Sequence, residues 1–255
     1  MNLPFYYEKE AKLTYFLIAV MIAVFFLESY YNYRYGTDYI EDLFRDYGFS
    51  LNNLLEGKWW TLLTSIFLHA GPEHLILNLI ALFFFSKAIE PDIGWKKVLL
   101  IFIASGIAGN LFVMGAAATG IMPVDIPTIG ASAAIFGIMG AAMFIKPVEP
   151  VLYPYLIPVP LISVAVVYAF LNFVQFFLTA TTGLQTDIAY VAHIGGLLIG
   201  AYFGFRQEGI KKGIFVILGI IIILVALPSI FAALQYLEST NYLNVLTTIT
   251  QTFIK

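Results

Sequence analysis

The sequence predicts an all-α polytopic membrane protein with seven spans. Two observations carry that reading. Of the 255 residues, 60% are hydrophobic and only 11% are charged, whereas a soluble domain carries about a quarter charged residues. The charges are also clustered, with none in 98–124, 151–186 or 188–205. Such runs match or approach the ~20 apolar residues that cross a bilayer. Backbone polar groups in lipid must be satisfied internally, and the alternating ten-residue strands of a membrane barrel are absent, so helices remain.

The predicted spans are about 13–30, 74–90, 97–117, 131–146, 159–180, 189–206 and 214–236. They leave no room for a separate soluble domain, so a single unit over 1–255 is expected. The start MNLPFYYEKEAK lacks a cleavable signal pattern, which makes the first apolar run a retained span. With a cytoplasmic N-terminus, nine of the 13 Lys and Arg lie on that side, among them Lys87, Lys96, Lys97, Arg206 and Lys211. That excess favours N-terminus inside, and an odd span count puts the C-terminus outside. The net charge of −3 says little about partners, and no basic stretch suggests a nucleic acid among them. Absence of cysteine excludes disulfides, thiolate metal sites and cysteine catalysis.

Residues 31–73 mix Tyr31, Tyr33, Tyr35, Trp59 and Trp60 with charges. They form either a solvated loop with an aromatic interfacial belt or a structured loop lying partly in the outer leaflet. Leu51, Leu54, Leu62, Ile66 and Phe67 favour the structured loop, being more apolar than a free loop needs. The fourth segment is unusual. Residues 130–142 read GASAAIFGIMGAA, nine of the thirteen being Gly, Ala or Ser. Such a helix packs closely on several sides and belongs at the bundle centre. From Ser132 to Ile145 it reaches about 20 Å, against a hydrocarbon core of about 30 Å. A water-accessible well is therefore expected above Ser132, after irregular backbone at Pro123 and Pro127.

The three histidines are His69, His74 and His193, two of them within predicted spans, where an ionisable residue is a functional hypothesis by default. His74 and Asn78 share a helix face. His193 shares one with Gly196, Gly200 and Gly204. That glycine stripe suits close approach to the small-residue fourth helix, which would bring His193 to Ser132. A serine hydroxyl needs a base to become a nucleophile, and imidazole can serve at neutral pH. Asn78, His74 and the Ser132 N–H, at a helix N-terminus, are candidate donors to an oxyanion. Asp125 and Asp187 lie near loop ends, so a dyad without an acid is expected, with His193 oriented by packing against Phe136.

These residues resemble the rhomboid family of intramembrane serine proteases. Gly130-Ala131-Ser132-Ala133 resembles the family's Gly-x-Ser-Gly nucleophile motif. HAGPEHLILN, from His69 to Asn78, resembles its His, His, Asn pattern. Ala192-His193-Ile194-Gly195-Gly196, with Gly200, resembles its Ala-His-x-Gly-Gly pattern. Glu90 with Gly94, and Trp60, resemble further family positions. Ala133 and Thr61 depart from it, standing where the family usually has Gly and often Arg. The resemblance implies a six-helix rhomboid-like core, about 13–206, plus a seventh C-terminal transmembrane helix, about 214–236. It implies catalysis by Ser132 and His193, with Asn78 and His74 stabilising the oxyanion and Gly130, Phe136, His69, Gly196, Gly200 and Glu90 in support. It also implies cleavage of single-pass transmembrane proteins near the outer face of the bilayer, without metal or cofactor.

Rival classes fit less well. A zinc protease wants His-Glu-x-x-His, and an aspartyl type wants two aspartates inside spans; neither is present. A transporter would want more charges or an internal repeat. An inactive rhomboid-like scaffold typically lacks the serine or the histidine, and both are here.

Overall fold

The computed structural model describes residues 11–151, 158–182 and 189–253, with side chains defined as far as 226 and at Tyr236. Asp187 and the opening residues used in the signal-peptide reading lie outside that set. The described chain is almost wholly helical. In order come α1 (Lys12–Tyr35), α2 (Thr37–Tyr47), α3 (Leu51–Leu55), α4 (Thr61–Thr64), a 3-10 turn (Ser65–Phe67), α5 (Pro72–Ile93), α6 (Trp95–Ala118) and α7 (Ser132–Ile145). A two-stranded ribbon of β1 (Pro150–Val151) and β2 (Val159–Pro160) precedes α8 (Leu161–Thr182). The last helical stretch, Tyr190–Phe253, breaks at Gly209 (φ 80°, ψ 170°) into α9 (190–208) and α10 (210–253).

Each predicted span overlaps a helix, but the ends differ: 131–146, 159–180 and 189–206 overrun the helices that start at Ser132, Leu161 and Tyr190 by one or two residues. The first helix runs on to Tyr35, so Tyr31 and Tyr35 belong to its last turns and stack against each other and against Tyr39 of α2. The loop expected between 206 and 214 is a single-residue break, because one glycine in the left-handed region is enough to redirect a helix. The Thr-rich tail beyond Glu238 continues as helix to Phe253. By length and composition, four helices among the described residues can cross a membrane: Lys12–Tyr35, Trp95–Ala118, Leu161–Thr182 and Tyr190–Ala226. The segment Thr61–Phe67 with Pro72–Ile93, bent by 93°, makes a fifth if taken as one span. At 14 residues α7 falls short of that test.

Helix α7 is the core. Every residue from Ala133 to Ile145 except Phe136 is buried, and its neighbours approach at backbone distance. A Cβ at Gly196 or Gly200 of α9 would clash with the Ala133 or Gly137 carbonyl, and one at Gly204 would stand 2.6 Å from the Ala141 oxygen. The glycines therefore set the α7–α9 separation. On the other side Gly137 makes room for Ser105 of α6. Gly109 makes room for Ala133, since a Cβ there would lie 2.5 Å from the Ala133 methyl. The departure from Gly at 133 is thus matched by a glycine opposite.

Glu90 holds the other end of the bundle. Helix α1 starts without a side-chain cap of its own. The buried Glu90 carboxylate, near the end of α5, accepts from the Leu13 N–H (2.7 Å), the Thr14 N–H (2.9 Å) and the Thr14 hydroxyl (2.6 Å). The Thr14 hydroxyl has one proton and gives it to Glu90, so Ser86 donates to Thr14 Oγ1 at 2.7 Å. A carboxylate at the positive end of a helix, with three donors, is stable where an unpaired one would be costly.

The segment 31–73 is structured rather than free. It folds into α2, α3, α4 and the 3-10 turn, and Ile66 is buried. Phe49 pairs with Thr128 in an isolated antiparallel bridge, with N–H···O distances of 2.9 and 2.7 Å. Asn110 of α6 donates to the Leu62 carbonyl and the Ser65 hydroxyl. The Ser65 carbonyl accepts from the Gly130 N–H at 2.8 Å. These bonds fix the irregular strand that delivers the chain into α7. Thr61, where the resemblance looks for an arginine, is buried with its hydroxyl donating to the Lys58 carbonyl.

Candidate active site

Ser132 is the first residue of α7. The first bond into the helix runs from the Ile135 N–H to the Ala131 carbonyl. The N–H groups of Ser132, Ala133 and Ala134 thus precede the intrahelical ladder, as at any helix start. Gly130, just before, has φ 120°, and a Cβ there would stand 2.7 Å from the His74 ring. Only glycine allows both the turn and that close approach.

His193, one turn into α9, reaches across the glycine-spaced contact. Its Nε2 lies 2.7 Å from Ser132 Oγ. Its ring stacks on Phe136, one turn beyond the serine, with centroids 4.3 Å apart and planes 7° off parallel, while Tyr190 meets it edge-on. Its Nδ1 lies 2.6 Å from Asn172 Oδ1.

An open cavity of about 1170 Å³ sits above the α7 start. Ser132, His193, Gly130, Phe136, His74, Asn78 and Asn172 all line it. Leu77, Ala81 and Phe85 of α5 and Tyr168, Leu171 and Phe176 of α8 also line it. The volume exceeds the ~300–1,000 Å³ of small-molecule pockets and accommodates a polypeptide segment.

The supporting residues fall in two groups. Helix α5 starts at Pro72, a residue suited to the first helical position, with Glu73 in its first turn. That start aims His74 and Asn78 into the cavity. Asn78 donates one amide N–H to the His74 carbonyl at 2.8 Å, which leaves its second N–H for a ligand. His69 is buried behind His74, their rings edge-on at 5.2 Å. Its Nδ1 donates to the Phe67 carbonyl, and its backbone N–H donates to the buried Glu28 carboxylate. Neither His69 nor Glu90 lines the cavity. His69 packs behind the site, and Glu90 acts at the α1 start.

Sequence reasoning missed Asn172. The signal was present: in the charge-free α8, Asn172 and Gln175 are the only amides. Among the described residues no cluster of three or more His, Asp or Glu forms a metal site.

The Rhomboid domain family model matches residues 56–207, which contain Ser132, His193, His74, Asn78 and Asn172. The chain belongs to the rhomboid family. Among similar rhomboid proteins, Rhomboid protease GluP of Bacillus subtilis is 32% identical over 202 residues, 78% of this chain and 35% of the relative. Putative rhomboid protease YdcA of the same species is 41% identical over 97 residues, 38% of this chain and 46% of the relative. Rhomboid protease AarA of Providencia stuartii is 34% identical over 157 residues, 58% of this chain and 55% of the relative. The chain thus spans between a third and just over half of the length of these rhomboid relatives.

Proposed function

We propose that this rhomboid-family chain is an intramembrane serine endopeptidase. It hydrolyses peptide bonds of single-pass transmembrane proteins within or near the outer leaflet, with Ser132 as nucleophile and His193 as general base. The observation that carries this is the 2.7 Å contact between Ser132 Oγ and His193 Nε2 on the floor of an open cavity large enough for a peptide segment. The similarity to GluP and AarA, both named rhomboid proteases, supports the same reading. His193 takes the hydroxyl proton as Oγ attacks the carbonyl carbon, then returns it to the leaving amine. A water, activated by the same imidazole, then hydrolyses the acyl-enzyme. Cleavage of single-pass helices by the full chain in liposomes, and its loss without Ser132 or His193, tests the assignment.

The oxyanion is held by the Ser132 N–H at the α7 start, the second Asn78 N–H and the His74 ring. Each lines the cavity beside the nucleophile. Donors of this kind act on charge that exists only in the transition state, so each is worth roughly 10²–10³ in rate. Asn78→Ala and His74→Ala are each expected to lower kcat by that order with KM little changed. A pure rise in KM would reassign them to substrate docking.

In this reading residues 13–206 form the catalytic core and 214–236 an added span, within a single domain. The excess of Lys and Arg on the N-terminal side supports a cytoplasmic N-terminus and an outward C-terminus. A reporter fused after Lys255 should be active only on the exterior side; cytoplasmic activity would remove one span.

A further inference from the structure

Asn172 makes two contacts, and together they determine where the protons of His193 lie. Its Nδ2 is 2.9 Å from the Tyr190 carbonyl oxygen, and its Oδ1 is 2.6 Å from His193 Nδ1. A carbonyl oxygen only accepts. The amide nitrogen must therefore face Tyr190, since a flipped amide would set two acceptors against each other. That orientation puts the amide oxygen, itself only an acceptor, on Nδ1. A neutral imidazole facing an acceptor at 2.6 Å carries its proton on that nitrogen. Nε2 is then left with its lone pair toward Ser132 Oγ, 2.7 Å away. The serine hydroxyl rotates to suit either form and imposes neither. Nor does Phe136 choose, because its ring lies flat on the imidazole and makes no hydrogen bond to either nitrogen.

We propose that Asn172 is a positioning residue that fixes His193 as the Nδ1–H tautomer and so leaves Nε2 as the base. The proposal rests on the reading of His193 as that base. It replaces the dyad expected from the sequence by a chain of four groups, Tyr190 carbonyl, Asn172 amide, His193 imidazole and Ser132 hydroxyl. Asn172 is buried and sits mid-helix in α8, so the orienting group comes from rigid structure rather than from a loop. A bland interhelix bond would hold α8 to α9 through Tyr190 alone and would not require the amide oxygen to face the catalytic ring.

The test is nitrogen NMR of the full chain, labelled with 15N-histidine, in detergent micelles under conditions where the rings are neutral. There are three histidines, and His193→Ala identifies the relevant pair of signals. The wild-type ring should show a protonated Nδ1 and an unprotonated Nε2. An Nε2–H ring at His193 would overturn the proposal outright. Asn172→Leu removes the acceptor at similar volume. Its His193 should lose the single tautomer, and kcat should fall about 10²-fold with KM little changed, the scale of a slightly misplaced catalytic group. Asn172→Asp, protonated on the oxygen that faces the Tyr190 carbonyl, restores an acceptor at Nδ1, should keep the Nδ1–H form, and should recover part of that loss. An unchanged tautomer or an unchanged kcat in Asn172→Leu would overturn the proposal. Cleavage that persists in His193→Ala would instead defeat the base assignment, while the ring's tautomer would still be read directly from the wild-type spectrum.

Discussion

Ser132→Ala and His193→Ala are each expected to abolish cleavage of a transmembrane substrate while leaving a folded, extractable protein. The alanine at 132 takes away only the hydroxyl oxygen, and α7 keeps its start because Ser132 is not the N-cap residue. The alanine at 193 removes the imidazole 2.7 Å away and leaves the backbone contacts of Gly196 and Gly200 in place. In soluble serine proteases loss of either partner costs roughly 10⁶ in kcat, and losing both costs little more, because the pair acts as one unit. The double variant here should match the singles in the same way. An active-site label gives a second measurement that needs no substrate. A fluorophosphonate reacts with a serine that has a neighbouring base and ignores ordinary ones. The chain has eight other serines, which serve as internal controls. Label should appear at Ser132 alone, be lost in His193→Ala, and be indifferent to EDTA. Turnover in Ser132→Ala, or label on another serine, would sink the assignment.

The proximity of Ser132 and His193 was legible because it is carried by backbone. A row of glycines at 196, 200 and 204 and a run of small residues from 130 to 142 leave one close-packed arrangement open, and in it the two side chains meet. The stacking of His193 on Phe136 follows from the same register, since Phe136 is one turn from Ser132. Asn172 was not legible for the opposite reason. A lone amide in an apolar helix says that it needs partners, but helical periodicity cannot say which neighbouring helix supplies them when almost every face is apolar. The pairing of Glu28 with the backbone at His69, 41 residues away, escaped on the same ground. Helix ends were also poorly determined. The tyrosines at 31 and 35 read as a loop, yet they extend α1 because their rings stack along the helix and onto α2. The family match spans residues 56–207, and the motifs that carry the resemblance, each weak alone, all lie within it.

The close α7–α9 contact makes a second expected result, smaller than the first but reached without touching a reacting group. Gly200→Val should uncouple Ser132 from His193. A Cβ at position 200 falls on the carbonyl of Gly137, which is backbone in the middle of a buried helix and has no rotamer to change. Either the helices separate or the chain fails to pack. Overpacking of this kind costs about 1–3 kcal/mol and more where the obstacle is rigid, whereas removing a glycine from a helix interior returns at most about 1 kcal/mol. The cost therefore wins. Separation by about 1 Å would stretch the 2.7 Å contact between Nε2 and Oγ past hydrogen-bond range. A misplacement of that size is worth about 10² in rate even if the fold survives. Gly219→Ala in α10 is the matched control. A Cβ there meets Ile162 Cδ1 at 3.6 Å, an ordinary contact, so that variant should be as stable as the parent or more so, with cleavage unchanged. Thermal unfolding in detergent, together with the rate of fluorophosphonate labelling at Ser132, separates the two effects. A Gly200→Val protein with parental melting and parental labelling would mean that the helices tolerate the side chain and that glycine spacing does not set the distance between nucleophile and base.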